Sequence, residues 1–440
     1  MTTIATPSRS DRQALARNLK EARARTFQLL APLSSEELRL QHDPLMSPLL
    51  WDLGHIAHFE ELWLTRNLDG PIEFVEMPGL FNPFEHPRNT RGTLPLPDLD
   101  RCRAIMEEIR QRVLERLADV DLDSDNPLLR DGYVYRMVLQ HEYQHNETML
   151  QTLQLKQGRP YSPIQRSVVP TSRGSVSGSG DMALFPGGLV EIGTDDRSAA
   201  YDNERLHHAM RLEPFWIDVT PVTNSQFSDF ITAGGYSTRE YWSDAGWDWL
   251  QAAGVEAPMY WSRGEAGWVT RAMDQIGPPV ASHPVSHVCY YEAEAYARFR
   301  GNRLPTEFEW EAAASWDPQH RRKRSFPWGD EPVTTELANV DQLAFGTTPV
   351  GSYRANLSPI GCYGMIGDVW EWTSSDFGPY PGFQSFPYRE YSEAFFGHEY
   401  KVLRGGSWAT RPGAVRNTFR NWDYPIRRQI FSGFRCARDA

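Results

Sequence analysis

The chain has only four cysteines in 440 residues, Cys102, Cys289, Cys362 and Cys436, and none stands in a C-x-x-C pair. Neither a disulfide framework nor a thiolate zinc site is expected to organise it. No run of about 18 apolar residues occurs, and the first residues carry no apolar core of signal-peptide length, so neither a membrane span nor secretion is expected. Basic residues are outnumbered, 45 Lys and Arg against 57 Asp and Glu, and the formal charge of −12 is spread with the signs interspersed. Sequence-independent nucleic-acid binding needs a basic footprint and is disfavoured. No fixed-period repeat is visible. The plain expectation is a soluble, cytoplasmic enzyme, and the length exceeds the roughly 250–300 residues at which single cores stop growing, which points to two domains.

What the chain does have is a run of helical patterns followed by a change of character. Apolar residues at i, i+3, i+4 spacing predict helices from Ser10 to about Leu33, from Ser47 or Leu49 to Arg66, from about Asp98 to Leu117, and from about Asn126 to Gln157. Four such helices make a bundle, whose core is a usual place for a metal site. The connection from Pro71 to Pro97, rich in Pro, Phe and Asn, is long for a bundle. Gln157 to Asp181 is linker chemistry, with Ser172-Arg-Gly-Ser-Val-Ser-Gly-Ser-Gly180 at its centre. Beyond it come short β-like runs broken by Gly and Pro, with helical stretches only at Thr220–Ala233, Tyr290–Phe299 and Pro305–Ala314. The organisation expected is a helical domain over residues 1–160, a flexible linker over 161–181, with the boundary near 175, and an α+β domain of irregular packing over 182–440.

The chemistry concentrates in His141-Glu-Tyr-Gln-His145-Asn-Glu147, which no Gly or Pro interrupts. On a helix His141 and His145 are i and i+4, one turn apart on one face, close enough to share a metal ion. A third ligand is offered by Trp51-Asp-Leu-Gly-His55, whose imidazole would otherwise be buried unpaired among Leu, Ile and Ala. His58, three residues on beside Glu60 and Glu61, is the alternative ligand. Three nitrogens with open positions describe a catalytic rather than a structural ion. The stretch also fits the zinc-protease pattern H-E-x-x-H. That reading needs a third ligand downstream, and between Glu147 and Glu191 there is neither Glu nor His.

Six segments of the second domain carry a resemblance: Phe185-Pro-Gly-Gly, Thr220-Pro-Val-Thr-Asn-Ser-Gln-Phe, Asn302-Arg-Leu-Pro-Thr-Glu-Phe-Glu-Trp-Glu-Ala, Gly367-Asp-Val-Trp-Glu-Trp-Thr, Arg404-Gly-Gly-Ser-Trp and Gly433-Phe-Arg-Cys-Ala. They resemble the formylglycine-generating-enzyme (sulfatase-modifying factor) fold, related to C-type lectins, and the N-terminal bundle resembles the DinB-like metal-binding domain. With Asp43-Pro-Leu-Met-Ser-Pro-Leu-Leu-Trp-Asp-Leu-Gly-His55 and Phe419-Arg-Asn-Trp-Asp-Tyr-Pro-Ile-Arg-Arg-Gln-Ile-Phe431, the chain is similar to the non-haem iron sulfoxide synthases of ergothioneine biosynthesis. The resemblance implies Fe(II) on His55, His141 and His145. It implies hercynine, a trimethylated betaine of histidine, against Gln144, Asn421 and Trp422, which suits a quaternary ammonium that has no donor to offer. It implies the thiol γ-glutamylcysteine on Arg91, Asp423 and Arg427, as Arg grips a carboxylate and Asp an ammonium. A proton-donating tyrosine is implied after the Trp-Glu-Trp-Thr motif, where counting back from Asp423 ranks Tyr388 first, Tyr380 second and Tyr391 third.

The expected reaction joins hercynine and the thiol through a C–S bond and a sulfoxide at the expense of O2. Selenoneine synthases, similar in both domains, use a selenosugar instead, and ovothiol-type enzymes join histidine to cysteine. Arg91, Asp423 and Arg427 favour γ-glutamylcysteine, while small, uncharged Gly92 and Thr93 leave the rest of the donor pocket open. Formylglycine generation would need a reactive cysteine pair, and Cys362 and Cys436 stand in segments that read as structural.

Overall fold

In a computed structural model of the chain, residues 9–68, 79–167 and 181–440 are described. Two compact units form: one from Met1–Gln165 with Asp196–Asp202 and Gln384–Tyr391, the other from Arg166–Asp195, Asn203–Phe383 and Ser392–Ala440. The linker expected over 161–181 falls for the most part outside the described residues, and Tyr161 is buried in the first unit with its hydroxyl donating to the Leu29 carbonyl at 3.0 Å.

The first unit is helical. Helix α1 (Arg9–Leu30), the short α2 (Ser35–Arg39), α3 (Leu49–Glu61), α4 (Leu99–Asp119) and α5 (Tyr133–Leu155) follow in order. Several starts have a local cause. Ser34 and Glu37 form a reciprocal capping box on α2, and the Asp98 carboxylate accepts from the Arg101 amide at the head of α4. Helix α5 begins later than the expected Asn126, because Asp131 (φ 58°) and Gly132 (φ 70°) turn the chain left-handed just before Tyr133. Helix α3 relaxes into a π-helical turn over Leu62–Arg66, and the described part of the following loop holds a 3₁₀ turn at Arg88–Thr93. Helix α3 packs on α4 and α5, and α1 on α5. Their shared interior is apolar, with Leu15, Leu19, Leu53, Ile56, Met106, Val113, Leu150 and Leu153 buried.

The second unit is built from small sheets. Strands β1 (Met182–Phe185), β2 (Gly188–Ile192), β3 (His208–Leu212) and β4 (Phe215–Asp218) are followed by a meander β5 (Trp261–Gly264), β6 (Gly267–Ala272), β7 (Gln275–Gly277). A two-stranded pair β8 (Trp316–Asp317) and β9 (Arg322–Lys323) precedes β10 (Trp370–Asp376), β11 (Lys401–Arg404), β12 (Asn421–Asp423), β13 (Ser432–Gly433) and β14 (Ala437–Asp439). Their pairing is β1-β4-β14, β2-β3 and β12-β11-β10-β13. Helices α6 (Asn224–Thr232), α8 (Tyr290–Phe299) and α9 (Glu307–Ser315) match the helical stretches expected, and α7 (Asp244–Ala253) adds one more. Capping boxes at Thr223 and Thr306 start α6 and α9. A core of Phe185, Ile192, Phe215, Ile217, Trp310 and Met365 is supplemented by buried ion pairs, Arg404 and Arg420 with Glu307, Arg404 with Glu311, and Arg435 with Glu371.

Candidate metal centre

Helix α3 supplies His55 and helix α5 supplies His141 and His145, and one ligand atom from each lies within 4.8 Å of the other two. The ring centroids are 5.1, 4.9 and 4.6 Å apart. Among the described residues no other group of three His, Cys, Asp or Glu converges in this way. The His55 Nδ1 lies 3.0 Å from the main-chain oxygen of Phe81, which can only accept, so Nδ1 carries the proton and Nε2 keeps its lone pair. Its ring is stacked on Trp51, and the His141 ring is stacked on Phe59 with centroids 3.7 Å apart. The His145 Nδ1 stands 3.3 Å from Oδ1 of the buried Asp52. A carboxylate or carbonyl behind a histidine is the usual way a ligand's tautomer and orientation are fixed. Burial, and then the neighbouring imidazoles, hold the His55 and His141 pKa values well below the ordinary histidine range. Neutral, oriented, closely spaced imidazoles are the donor set a first-row divalent ion takes.

His58 faces elsewhere and lines a cavity of about 80 Å³ with Gly54, Ala57, Phe81 and Ile109. Glu142, the glutamate of the H-E-x-x-H pattern, is committed away from the histidines. Its Oε1 accepts from Arg23 Nε at 2.9 Å and Thr26 Oγ1 at 2.8 Å, and its Oε2 from Arg110 Nη2 at 3.0 Å. Burial would raise its pKa, but the Arg23 and Arg110 guanidiniums overcome that and bring it to about 2. A carboxylate bound in this way is not available as the general base a zinc protease needs.

Gln144 lies between the two α5 histidines, and its Nε2 donates to the Tyr391 hydroxyl at 3.1 Å. Tyr391 in turn stacks on Tyr201. Tyr388 belongs to the same unit, its ring stacked on Trp63 at 5.2 Å and edge-on to Phe59 at 6.3 Å, the ring that covers His141. Burial pushes the Tyr388 phenol well above its usual range, so it stays protonated. Tyr380 lies in the other unit, where its hydroxyl donates to Glu307 at 3.3 Å and Arg420 sits 4.1 Å over its ring. Arg91 is buried, with Nε donating to the His86 carbonyl at 2.8 Å and Nη1 to Ser47 Oγ at 2.7 Å. Its desolvation lowers its pKa to about 10, still a cation near neutrality. In the second unit Asn421, Trp422 and Asp423 form β12, Trp422 stacks on Phe377 at 4.1 Å, and Asp423 pairs with Arg427 at 3.4 Å. Cys362 and Cys436 are buried, and burial pushes the first thiol up to about 11 and the second well above its usual range, which leaves neither as a ready thiolate.

Sequence reasoning missed Asp52 and the Phe81 carbonyl. Asp52 had a signal, a carboxylate inside an apolar helical run three residues before His55. The carbonyl had none, since a main-chain group carries no residue identity.

Two domain families match the chain, the DinB superfamily over residues 18–149 and the sulfatase-modifying factor enzyme 1-like domain over 169–440. The chain is 44% identical to the hercynine oxygenase of Mycolicibacterium thermoresistibile, with 100% of this chain and 97% of that protein covered. It is 44% identical to the hercynine oxygenase of Mycobacterium tuberculosis over 97% of this chain and 99% of that one. The formylglycine-generating enzyme of Streptomyces coelicolor is 34% identical over 58% of this chain and 88% of its own length.

Proposed function

From the premise that the chain belongs to the hercynine oxygenase family, enzymes of the oxygenase type with a DinB-like domain before a formylglycine-generating-enzyme-like one, we propose a specific reaction. It is the O2-dependent coupling of hercynine with γ-glutamylcysteine to a C–S bond and sulfoxide at Fe(II). The observation that carries this reading is the three-histidine cluster, two of whose rings have Nδ1 facing a main-chain oxygen or a carboxylate. His55, His141 and His145 would hold the iron, which when bound supplies the one-electron chemistry that O2 reduction requires.

The chain's own residues do the rest. Arg91, buried and still cationic, grips a carboxylate of the thiol substrate, and Asp423 and Arg427 supply charges of both signs for its ammonium and second carboxylate. Gln144, Asn421 and Trp422 contact hercynine, with amide dipoles for its imidazole and carboxylate and an indole face for its trimethylammonium. Tyr388 retains a proton at its phenolic oxygen at neutral pH, while Trp63 and Phe59 hold its ring in place.

The test is anaerobic reconstitution with Fe(II), followed by O2 together with hercynine and γ-glutamylcysteine. Sulfoxide by mass spectrometry with matched O2 uptake is expected, and the absence of both would overturn the reading. A parallel arm with a selenosugar decides the donor, since a selenium-containing product formed in preference would transfer the assignment to C–Se coupling.

A further inference from the structure

His55 is oriented by its own helix and by a loop that no motif announces. Its Nδ1–H goes to the Phe81 carbonyl at 3.0 Å, and its ring lies on the Trp51 indole, centroids 4.9 Å and planes 12° apart. The Trp51 Nε1–H donates to the Leu80 carbonyl at 2.9 Å. Two consecutive carbonyls thus hold two side chains that stand one turn apart on α3. Gly54 lets the loop come this close, because a Cβ at that position would be driven into the Phe81 ring. Glycine inside a helix is otherwise unfavourable, so close approach is what it contributes here. Over the Trp51 ring lies the Arg91 guanidinium, 3.5 Å from the ring centroid, held from the same loop by the His86 carbonyl and from just before α3 by Ser47.

We propose that Gly54 and Phe81 form a positioning device for the metal ligand. The ring docked on the bare turn of α3 sets the Phe81 carbonyl, the carbonyl sets the His55 tautomer, and Trp51 ties that arrangement to Arg91. Orientation of a ligand imidazole and seating of a substrate carboxylate then depend on one loop. The proposal rests on the metal-centre reading for its consequence, and the hydrogen bond can be read without any metal.

The experiment uses the full-length protein labelled with ¹⁵N-histidine. In the metal-free wild type, His55 is expected to show Nδ1 protonated and Nε2 bare, and in Gly54→Ala that signature is expected to be lost. Titration with Co(II), read by its visible absorption, should show affinity reduced about 10- to 100-fold in Gly54→Ala, the usual effect of removing a partner behind a ligand. Phe81→Ala should weaken binding as well. The double variant should bind Co(II) no worse than Phe81→Ala alone, because the added methyl group then fills the space the ring has left. This non-additivity would not arise from general loosening, and it stands even where Gly54→Ala alone does not fold. Wild-type histidine shifts and Co(II) affinity in a folded Gly54→Ala protein would overturn the proposal, as would a double variant that is unfolded or worse than Phe81→Ala. A wild type that shows the His55 signature but takes up no Co(II) would overturn the proposed metal function and leave the positioning standing.

Discussion

Helix α5 carries two polar clusters of opposite character, less than a turn apart. On one face His141 and His145 hold ring nitrogens within 4.8 Å of a His55 ligand atom, three closely spaced nitrogen donors. On another, Glu142 is buried among Arg23, Arg110 and Thr26, and the same two arginines also pair with Glu60. The first cluster leaves lone pairs to be used, and the second leaves none. Buried charge that is fully paired serves the fold, since breaking it strands a charge, whereas neutral ligands held apart serve chemistry. Adjacent residues in one H-E-x-x-H string therefore do different jobs.

The contrast breaks most sharply at the histidines. His145→Ala should abolish sulfoxide formation and lower Co(II) affinity by more than the roughly 10- to 100-fold seen when only a partner behind a ligand is lost. The thermal midpoint of the metal-free protein should hardly move. A variant that keeps both activity and affinity would remove His145 from the centre. Next in size is Tyr388→Phe, which keeps the ring on Trp63 and Phe59 and deletes the hydroxyl with its proton. Product formation should fall by about 100-fold or more, within the range for a lost general acid, with Co(II) affinity unchanged. The matched Tyr380→Phe change removes a hydrogen bond to Glu307 in the other unit and should show in stability rather than in rate. Reversed outcomes for these two tyrosines would exchange their roles.

The opposite signature belongs to Glu142→Ala. It leaves Glu60 as the one carboxylate facing both Arg23 and Arg110, so one buried positive charge loses its counter-charge, and breaking a buried pair by removing one partner costs about 3–5 kcal/mol. For a unit of this size that corresponds to a fall in midpoint on the order of 10 °C, measured by scanning calorimetry on metal-free protein. Unchanged stability with lost peptide hydrolysis would restore the protease reading.

The histidine cluster was legible because a period of 3.6 residues fixes which face His141 and His145 share, and because an imidazole among Leu, Ile and Ala needs a partner. The paired cluster was not. Arg23 and Arg110 stand 119 and 32 residues from Glu142, and no local pattern relates them. The start of α5 was expected at Asn126 and lies at Tyr133, because the left-handed turn at Asp131 and Gly132 interrupts a sequence whose apolar spacing looks continuous. Helix α7 had readable ends, Ser243 as N-cap and Gly254 in the left-handed conformation after it, but Gly246 and two tryptophans obscured the period. Least legible of all is the membership of Asp196–Asp202 and Gln384–Tyr391 in the helical unit, which brings Tyr388 and Tyr391 to it from far along the chain.

A last and smaller effect asks whether the paired-charge principle of α5 extends to the second unit. There Glu311 is fully buried, accepting from Lys323 at 2.5 Å, from the Gly193 amide at 2.8 Å, and from Arg404. Burial pushes its pKa up, but Lys323 and Arg404 together bring it down to about 2, below the ordinary glutamate value of 4.5. Above pH 4.5 the carboxylate is charged in both folded and unfolded chains and the stabilisation is fully present. As the pH falls from 4.5 towards 2 the unfolded chain takes up the proton first, and the stabilisation is lost. The shift corresponds to about 3 kcal/mol. Glu311→Gln should therefore be less stable than wild type at neutral pH in urea unfolding, with the gap narrowing through the window from pH 4.5 to 2. A gap that stays constant through that window would mean that Glu311 contributes shape rather than charge, and the principle would then hold for the helical unit alone.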